Sequence, residues 1–524
     1  MEEDKKLIAH LSKQGIGDQM VMGHPAGLFV LFFTEMWERF SYYGMRALLT
    51  IFLISKVLDG GWEWTREDAM QLFGLYTMLV YFTPLLGGII ADKLTGFKKA
   101  IILGALIMTL GHAAMALEGI NQNFFYIGLL FMILGNGLFK PNISSMVGQL
   151  YPDSSAKKDA GYTIFYMGIN AGAFLGMLLC GYIGEKVGWH YGFGLAGIFM
   201  FFGMLQFYFA TKLFGSVGES PKEKREAINK GVETEDEVIP SNVKRDRLIV
   251  VGVLMFFSIF FFLSFEQAGG SMSIFAKDYT QRVLEGSAGT IFKWIDALLT
   301  LFPLVIITWV LVGLAKKIYS KYPITIIFTA ISFILVWALG IWKITREFNA
   351  LETEITASWF QILNSFFIIT LASTFSKIWE KVWNPSGPIK FALGLILVGI
   401  GFAVLAYGSQ DIPQGAATAS VSMLWLVLAY FFHTTGELCL SPVGLSYVSK
   451  LSPKNLLGLI FGLWFCASAI ANGLAGLSGS LIDKISAEHS ISYFFGIFAI
   501  LPAAAGLVLI ALSPILKKLM HGIR

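Results

Sequence analysis

Runs of about 18 or more mostly apolar residues occur fourteen times in this 524-residue chain, centred near residues 41, 81, 109, 137, 173, 203, 262, 304, 333, 368, 398, 435, 469 and 503. At ~1.5 Å of rise per residue, some 20 such residues cross the ~30 Å hydrocarbon core of a bilayer. In lipid every backbone amide must find its partner within the segment, so runs of this length are helices. Composition agrees, with 55% hydrophobic and 14% charged residues and a mean hydropathy of +0.66, far from the balance of a water-soluble domain. The fold class expected is an all-α polytopic membrane protein with 14 transmembrane helices.

Charge sets the orientation. With the amino terminus in the cytoplasm, the inside loops collect 27 of the 39 Lys and Arg residues and the outside loops nine, including Lys343, as the positive-inside rule requires. Both termini are therefore expected inside, in a plasma (inner) membrane. The opening MEEDKKLIAHLSKQ is too charged for a signal peptide, and nothing in it suggests cleavage. Residues 1–26 read as a cytoplasmic tail, of which 1–24 are a loosely ordered stretch or a short interfacial helix.

The three remaining basic residues, Arg39, Arg46 and Lys140, fall inside spans, with four acids, Glu35, Glu38, Glu266 and Glu437. Each costs at least ~2.5 to 3.5 kcal/mol at membrane depth and marks a functional site by default. Four of the seven share EMWERFSYYGMR, residues 35–46. At 100° per residue Glu35, Glu38, Arg39, Tyr42, Tyr43 and Arg46 occupy one face about 140° wide. Met36, Phe40 and Ala47 fall elsewhere, toward lipid or neighbouring helices. An i,i+4 ion pair between Glu35 and Arg39 accounts for two of these groups and leaves Arg46 and the tyrosines unexplained. Three cations against four carboxylates leave one excess negative charge, which a bound sodium ion or, more simply, a proton on one glutamate would compensate.

Other chemistry finds no foothold. Cys180, Cys439 and Cys466 all sit in apolar spans and read as packing residues. No metal, nucleotide or acyl-transfer motif stands in a suitable context, and no nucleophile, base and orienter set suggests an enzyme. The connector 215–247 carries both signs of charge and reads as a solvated cytoplasmic linker, not a nucleic-acid patch. His112 and His433 fall in spans. His433, one turn before Glu437, either tunes that acid or is a simple hydrogen-bonded histidine.

The motifs ExxERFSYYGMR (35–46), GNGLFKPN (135–142), FYMGINAG (165–172), FEQAGGS (265–271), GELCLSP (436–442) and LWFCAS (463–468) resemble those of the proton-dependent oligopeptide transporter family. This family is a branch of the major facilitator superfamily, whose loop between the second and third helices GGIIADKLTGFKK (87–99) also resembles. The resemblance implies a major facilitator fold of two six-helix bundles and proton-coupled import of di- and tripeptides by alternating access. It assigns proton coupling to Glu35, Glu38, Arg39, Lys140 and Glu266. It assigns the peptide carboxylate to Arg46 and Lys140 and the peptide amine to Glu437, with Asn170 and Asn364 as amide partners. Tyr42, Tyr43, Tyr81, Trp464, Phe465 and Ser468 match pocket-lining positions; Tyr81, Trp464 and Phe465 suit helix packing equally well. A peptide zwitterion, with charges ~5 to 6 Å apart for a dipeptide, suits cations on one bundle and a carboxylate on the other.

The chain departs from the family pattern in three places. Phe262 stands where many relatives carry tryptophan, and Asn364 is followed by Ser365 instead of proline, so that helix is expected to bend less. Bacterial relatives insert two helices between the halves. Here the added pair falls at about 294–343, between the seventh and eighth core helices, as two spans or as a re-entrant hairpin. The expected organisation is a tail (1–26), an N-terminal bundle (27–214), the linker (215–247), a C-terminal bundle with the inserted pair (248–518) and a tail (519–524). Expected partners are di- and tripeptides, protons and the bilayer, with no nucleic acid, no cofactor beyond the coupling proton, and a functional monomer. The alternatives are a same-fold transporter of another amphoteric or anionic solute and a non-transporting membrane receptor.

Overall fold

The computed structural model describes residues 2–152, 155–219, 240–453 and 457–523; residues 220–239 of the expected linker, with Lys454 and Arg524 from the topology count, lie outside the described residues. The helices are α1 (Glu2–Lys13), α2 (Ala26–Ile54), α3 (Arg66–Ile90), α4 (Phe97–Met115), α5 (Gln122–Gln149), α6 (Ala156–Lys186), α7 (Trp189–Ala210) and α8 (Ser241–Phe265). They continue with α9 (Ser271–Asp278), α10 (Gly286–Ile318), α11 (Pro323–Asn349), α12 (Ile362–Lys381), α13 (Gly387–Gly408) and α14 (Leu424–Leu451). The last are α15 (Leu457–Gly479), α16 (Ile482–Glu488) and α17 (Ile491–Leu519). Local chemistry sets several starts. Asn121, Ser155 and Ser490 cap α5, α6 and α17 through their side chains, and Pro323 opens α11 where its missing N–H costs nothing.

Thirteen helical stretches among the described residues are long and apolar enough to cross a membrane. The fourteenth is α2, whose 29 residues suffice in length and whose hydropathy is broken only by Glu35, Glu38, Arg39 and Arg46. Helices α10 and α11 are both full spans of 33 and 27 residues, which decides against the re-entrant hairpin.

The chain divides into two compact units, one of residues 1–48, 83–231 and 283–359, the other of residues 49–82, 232–282 and 360–524. In the first, α4 packs on α5 and α7, and α11 of the inserted pair packs on α7. Phe333 of α11 sits edge-on to Phe33 and Trp37 of α2, with ring centroids 5.5 and 5.6 Å away. In the second unit α13 packs on both α14 and α17, and α8 on α15.

Helix α2 is buried on every side, Met36 and Phe40 at 0% exposure and Ala47 at 1%. Its non-polar face therefore meets other helices and not lipid. The close partner is α6, where Gly172 and Gly176 lie against the backbone carbonyls of Met36 and Phe40, leaving no space for a Cβ. Small residues four apart let two membrane helices approach to backbone contact.

The amino terminus is more ordered than a tail. Helix α1 buries Leu7 and Leu11 completely, one turn apart on its apolar side, and Gln14 Nε2 donates to Gln149 O at the end of α5 (3.2 Å). Strands β1 (Met20–Val21) and β2 (His24–Pro25) then form a hairpin. Its two turn residues, Met22 and Gly23, both have positive φ (50° and 79°), the geometry that matches strand twist in a two-residue turn.

The hairpin is held by His24, whose Nδ1 lies 2.8 Å from the Tyr151 hydroxyl, while Lys157 Nζ donates to Gly23 O at 2.9 Å. Burial, and secondarily the Lys157 charge, push the His24 imidazole below its ordinary value. Burial raises the Tyr151 phenol, so a neutral imidazole shares a hydrogen bond with an intact hydroxyl. Because the unfolded chain takes up the His24 proton first, this contact contributes fully above the ordinary imidazole range. It is lost as pH falls through that range toward the depressed value. The melting temperature of the detergent-solubilised protein is expected to fall on acidification across that window and His24→Gln to flatten the slope. An identical slope in the variant would show that His24 does not carry it.

Candidate functional site

The polar face of α2 is a buried ion cluster in the first unit. Arg39 Nε lies 2.9 Å from Glu35 Oε1 and also pairs with Glu38 Oε2. On the far side Asn136 of α5 donates to Glu38 Oε1 at 2.8 Å. Glu35, Glu38 and Arg39 are all 2% exposed or less. Lys140, one turn after Asn136, is near enough to act electrostatically on both carboxylates. The i,i+4 pair expected from spacing is therefore present, as one edge of a larger network.

Further along α2 the tyrosines and arginines interleave. The Arg39 guanidinium lies 5.6 Å from the Tyr42 ring centroid and that of Arg46 lies 6.0 Å from Tyr43, and the two rings meet edge to face at 5.1 Å. Cations over aromatic faces gain ~0.5 to 2 kcal/mol depending on desolvation. Arg46 and Tyr43 are half-buried where Arg39 and Tyr42 are fully covered. Asn170, on α6, is buried and donates to Tyr166 O at 3.0 Å. This unit thus gathers Glu35, Glu38, Arg39, Tyr42, Tyr43 and Arg46 on one helix, with Lys140 and Asn170 on two others.

In the second unit Asn364 Nδ2 donates to Glu437 Oε2 (2.9 Å) and to Thr434 Oγ1 (3.2 Å). Asn364 stands in the first turn of α12, directly after a 3-10 turn over Ala357–Gln361, so the backbone is irregular just before the position where relatives carry proline. Glu266 lies at the break between α8 and α9, in a 3-10 turn over Glu266–Gly269. Gln267 steadies that break by donating to Ala475 O at 2.8 Å and accepting from Ser271 Oγ at 2.6 Å. The like charges of Glu266 and Glu437 act on one another.

The remaining residues of this unit behave differently from one another. Trp464 is 5% exposed and packs against Phe391 at 6.3 Å and against Gly444. Ser468 is buried and donates to Trp464 O at 3.3 Å. Phe465 and Tyr81 are half-buried. His433 is a packing residue, 4.5 Å from the Phe402 centroid, and Gly401 leaves room for its ring. Among the described residues the amide donor to Glu437 is Asn364. His112 of α4 is likewise enclosed, against Gly197 of α7, and its ring has no hydrogen-bond partner among the described residues. The cysteines are free thiols, Cys180 and Cys439 buried in the packing and Cys466 half-buried.

Two charges escaped the sequence reading. Asp296 of α10 and Lys343 of α11 form an ion pair with side chains 5% and 3% exposed, so Lys343 is not an outside-loop residue. Trp359 Nε1 also donates to Asp296 Oδ1 (3.1 Å), and the Lys343 ammonium lies 5.3 Å from the Tyr182 ring of α6. Tyr182 in turn donates to Glu347 Oε1 at 2.6 Å. A signal existed. The two helices join through a short turn, and Asp296 and Lys343 are nearly equidistant from it, at one depth of an antiparallel pair. The pair is neutral overall and leaves the excess of one buried carboxylate unchanged.

The sequence pattern of the POT family matches residues 98–232 and 322–495. The transporter YclF of Bacillus subtilis is 33% identical over 99% of both chains. A di-/tripeptide transporter of Lactococcus lactis is 31% identical over 97% of this chain and 99% of its own. Among solved structures, a POT family transporter in complex with 5-aminolevulinic acid superposes with a TM-score of 0.75 at 26% identity, covering 96% of this chain and 99% of that one. The chain belongs to the POT family, and its helices form a polytopic transporter fold.

The Asp296–Lys343 pair makes a stability prediction. Removing one partner of a buried pair leaves the other uncompensated and costs ~3 to 5 kcal/mol, whereas replacing both with neutral groups is far milder. Lys343→Met is therefore expected to lower the melting temperature sharply in detergent, and adding Asp296→Asn to recover most of the loss. Equal loss in single and double variants would mean that the two charges do not depend on each other.

Proposed function

We propose that the chain is a proton-coupled symporter that imports di- and tripeptides by alternating access, with Glu35, Glu38, Arg39, Lys140 and Glu266 coupling the proton. The observation that carries this reading is the buried cluster in which a single guanidinium, Arg39, serves both Glu35 and Glu38. Protonation of either carboxyl group weakens its hold on the arginine, so one proton alters the partners of a cation at membrane depth. The peptide carboxylate suits Arg46 and Lys140, and the peptide amine suits Glu437, held in orientation by Asn364. Tyr42, Tyr43, Tyr81, Asn170, Phe465, Trp464 and Ser468 complete the assignment as lining residues. The similarity to a di-/tripeptide transporter over nearly the whole chain supports the substrate class.

The same reading places both termini in the cytoplasm of a plasma membrane, treats residues 27–214 and 248–518 as the two bundles, and takes the monomer as the working form. Moving one charge through ~100 mV supplies ~2.3 kcal/mol. At ~1.4 kcal/mol per tenfold, a single proton supports on the order of fifty-fold accumulation. A second reading, transport of another small amphoteric solute, draws on the related structure that holds 5-aminolevulinic acid. That molecule also carries an amine and a carboxylate.

Uptake of labelled dialanine into proteoliposomes under an inward proton gradient separates these readings. The wild type is expected to accumulate the peptide. Glu38→Gln is expected to lose accumulation and retain exchange, and Arg46→Ala to lose peptide binding. Uptake indifferent to external pH would remove the coupling assignment. Uptake of 5-aminolevulinic acid without any peptide would favour the second reading.

A further inference from the structure

Away from these charges, the second unit contains a cavity of about 800 Å³ where the end of α14, the start of α13 and the end of α17 converge. Three lysines line it, one from each helix: Lys390, Lys450 and Lys517. No carboxylate is among the described lining residues. Lys390 is held in place, with Nζ donating to Asn384 Oδ1 at 2.8 Å and lying 4.9 Å from the Trp379 ring centroid. Its charge and that of Lys450 act on each other. Like charges gathered at one opening raise the free energy of the empty site and are relieved by an anion.

The walls narrow the choice of anion. Alongside the lysines and Ser446, the cavity is bounded by Pro442, Val443 and Ile523, apolar surface that a hydrated inorganic ion would leave unused. The site lies at the ends of spanning helices, where a bilayer changes from hydrocarbon to headgroup. Basic recesses between helices on the inner side of a membrane suit phosphorylated headgroups, at ~1 kcal/mol per lysine. The comparable recess of the first unit, lined by Lys98, Lys99 and Lys212, also holds Glu219, and Lys98 Nζ is engaged by Gly215 O.

We propose that this cavity binds the phosphate-bearing headgroup of an anionic phospholipid, with Lys390, Lys450 and Lys517 as the phosphate-binding groups. The leaflet, inner rather than outer, rests on the topology proposed above; the binding itself does not.

Full-length protein in detergent, incubated with equal amounts of phosphatidylglycerol and phosphatidylcholine of the same chains, tests this by native mass spectrometry of the retained lipid. The wild type should retain phosphatidylglycerol preferentially. The triple variant Lys390→Gln, Lys450→Gln, Lys517→Gln should lose preference, by up to on the order of a hundredfold at ~1 kcal/mol per lysine. Lys518→Gln, an exposed lysine outside the lining, should keep it. If the triple variant does not fold, Lys390→Gln alone should show a drop of about fivefold. Equal retention of both lipids by the wild type, or an unchanged ratio in folded lysine variants, overturns the proposal. So does competition by inorganic phosphate as effective as that of the lipid, which would assign the site to free phosphate.

Discussion

A charge inside a bilayer has no water to turn to, and much of this structure follows from that constraint. Arg39 and its two glutamates persist at membrane depth because each finds an opposite charge or an amide within hydrogen-bond distance. Satisfying them requires neighbouring helices to approach α2 closely, and the sequence of α6 permits it. Gly172 and Gly176 remove the side chains that would hold α6 away from Met36 and Phe40. The ion cluster and the glycine spacing are thus two parts of one solution, the first supplying the polar network and the second its enclosure.

The same constraint produced two other arrangements. Asp296 and Lys343 neutralise each other inside the inserted helix pair and add Trp359 as a donor, joining the pair to the first unit without adding net charge. Asn364, Thr434 and Glu437 form a smaller set in the second unit. Among the described residues the acid is supported by an amide and not by a cation. A carboxylate held by a neutral amide is a natural partner for an ammonium group, and this is the chemical basis for the proposed assignment of the peptide amine to it. Glu266 differs again, since it sits where a helix breaks, and broken membrane helices expose backbone groups that regular ones conceal.

Much of the site was legible in the chain because membrane residence makes charge conspicuous. Seven ionisable residues within apolar runs stood out by their cost alone, and helical periodicity placed six polar residues of α2 on one face. Asn136 was less visible, being uncharged, although its position one turn before Lys140 placed it on the same side of α5. Asp296 and Lys343 escaped because each lies near the end of its apolar run, where hydropathy cannot distinguish a buried charge from a loop charge. The order in α1 escaped for a related reason. Leu7 and Leu11 are too few to mark a short charged segment as packed until the surface that covers them is known.

By itself the sequence determined the number of spanning helices, most of the residues that had to be satisfied within them and which loops are basic. All three follow from the free energy of placing particular groups in lipid, a property of composition and local spacing. Only the tertiary structure decided which partners satisfied those groups: Asn136 for Glu38, Asn364 for Glu437, Lys343 for Asp296. Such pairings join residues tens of positions apart, and side-chain chemistry states the need for a partner without saying which helix will supply it. That choice belongs to packing, where the shapes of whole helix faces, glycine gaps included, determine which polar atoms meet.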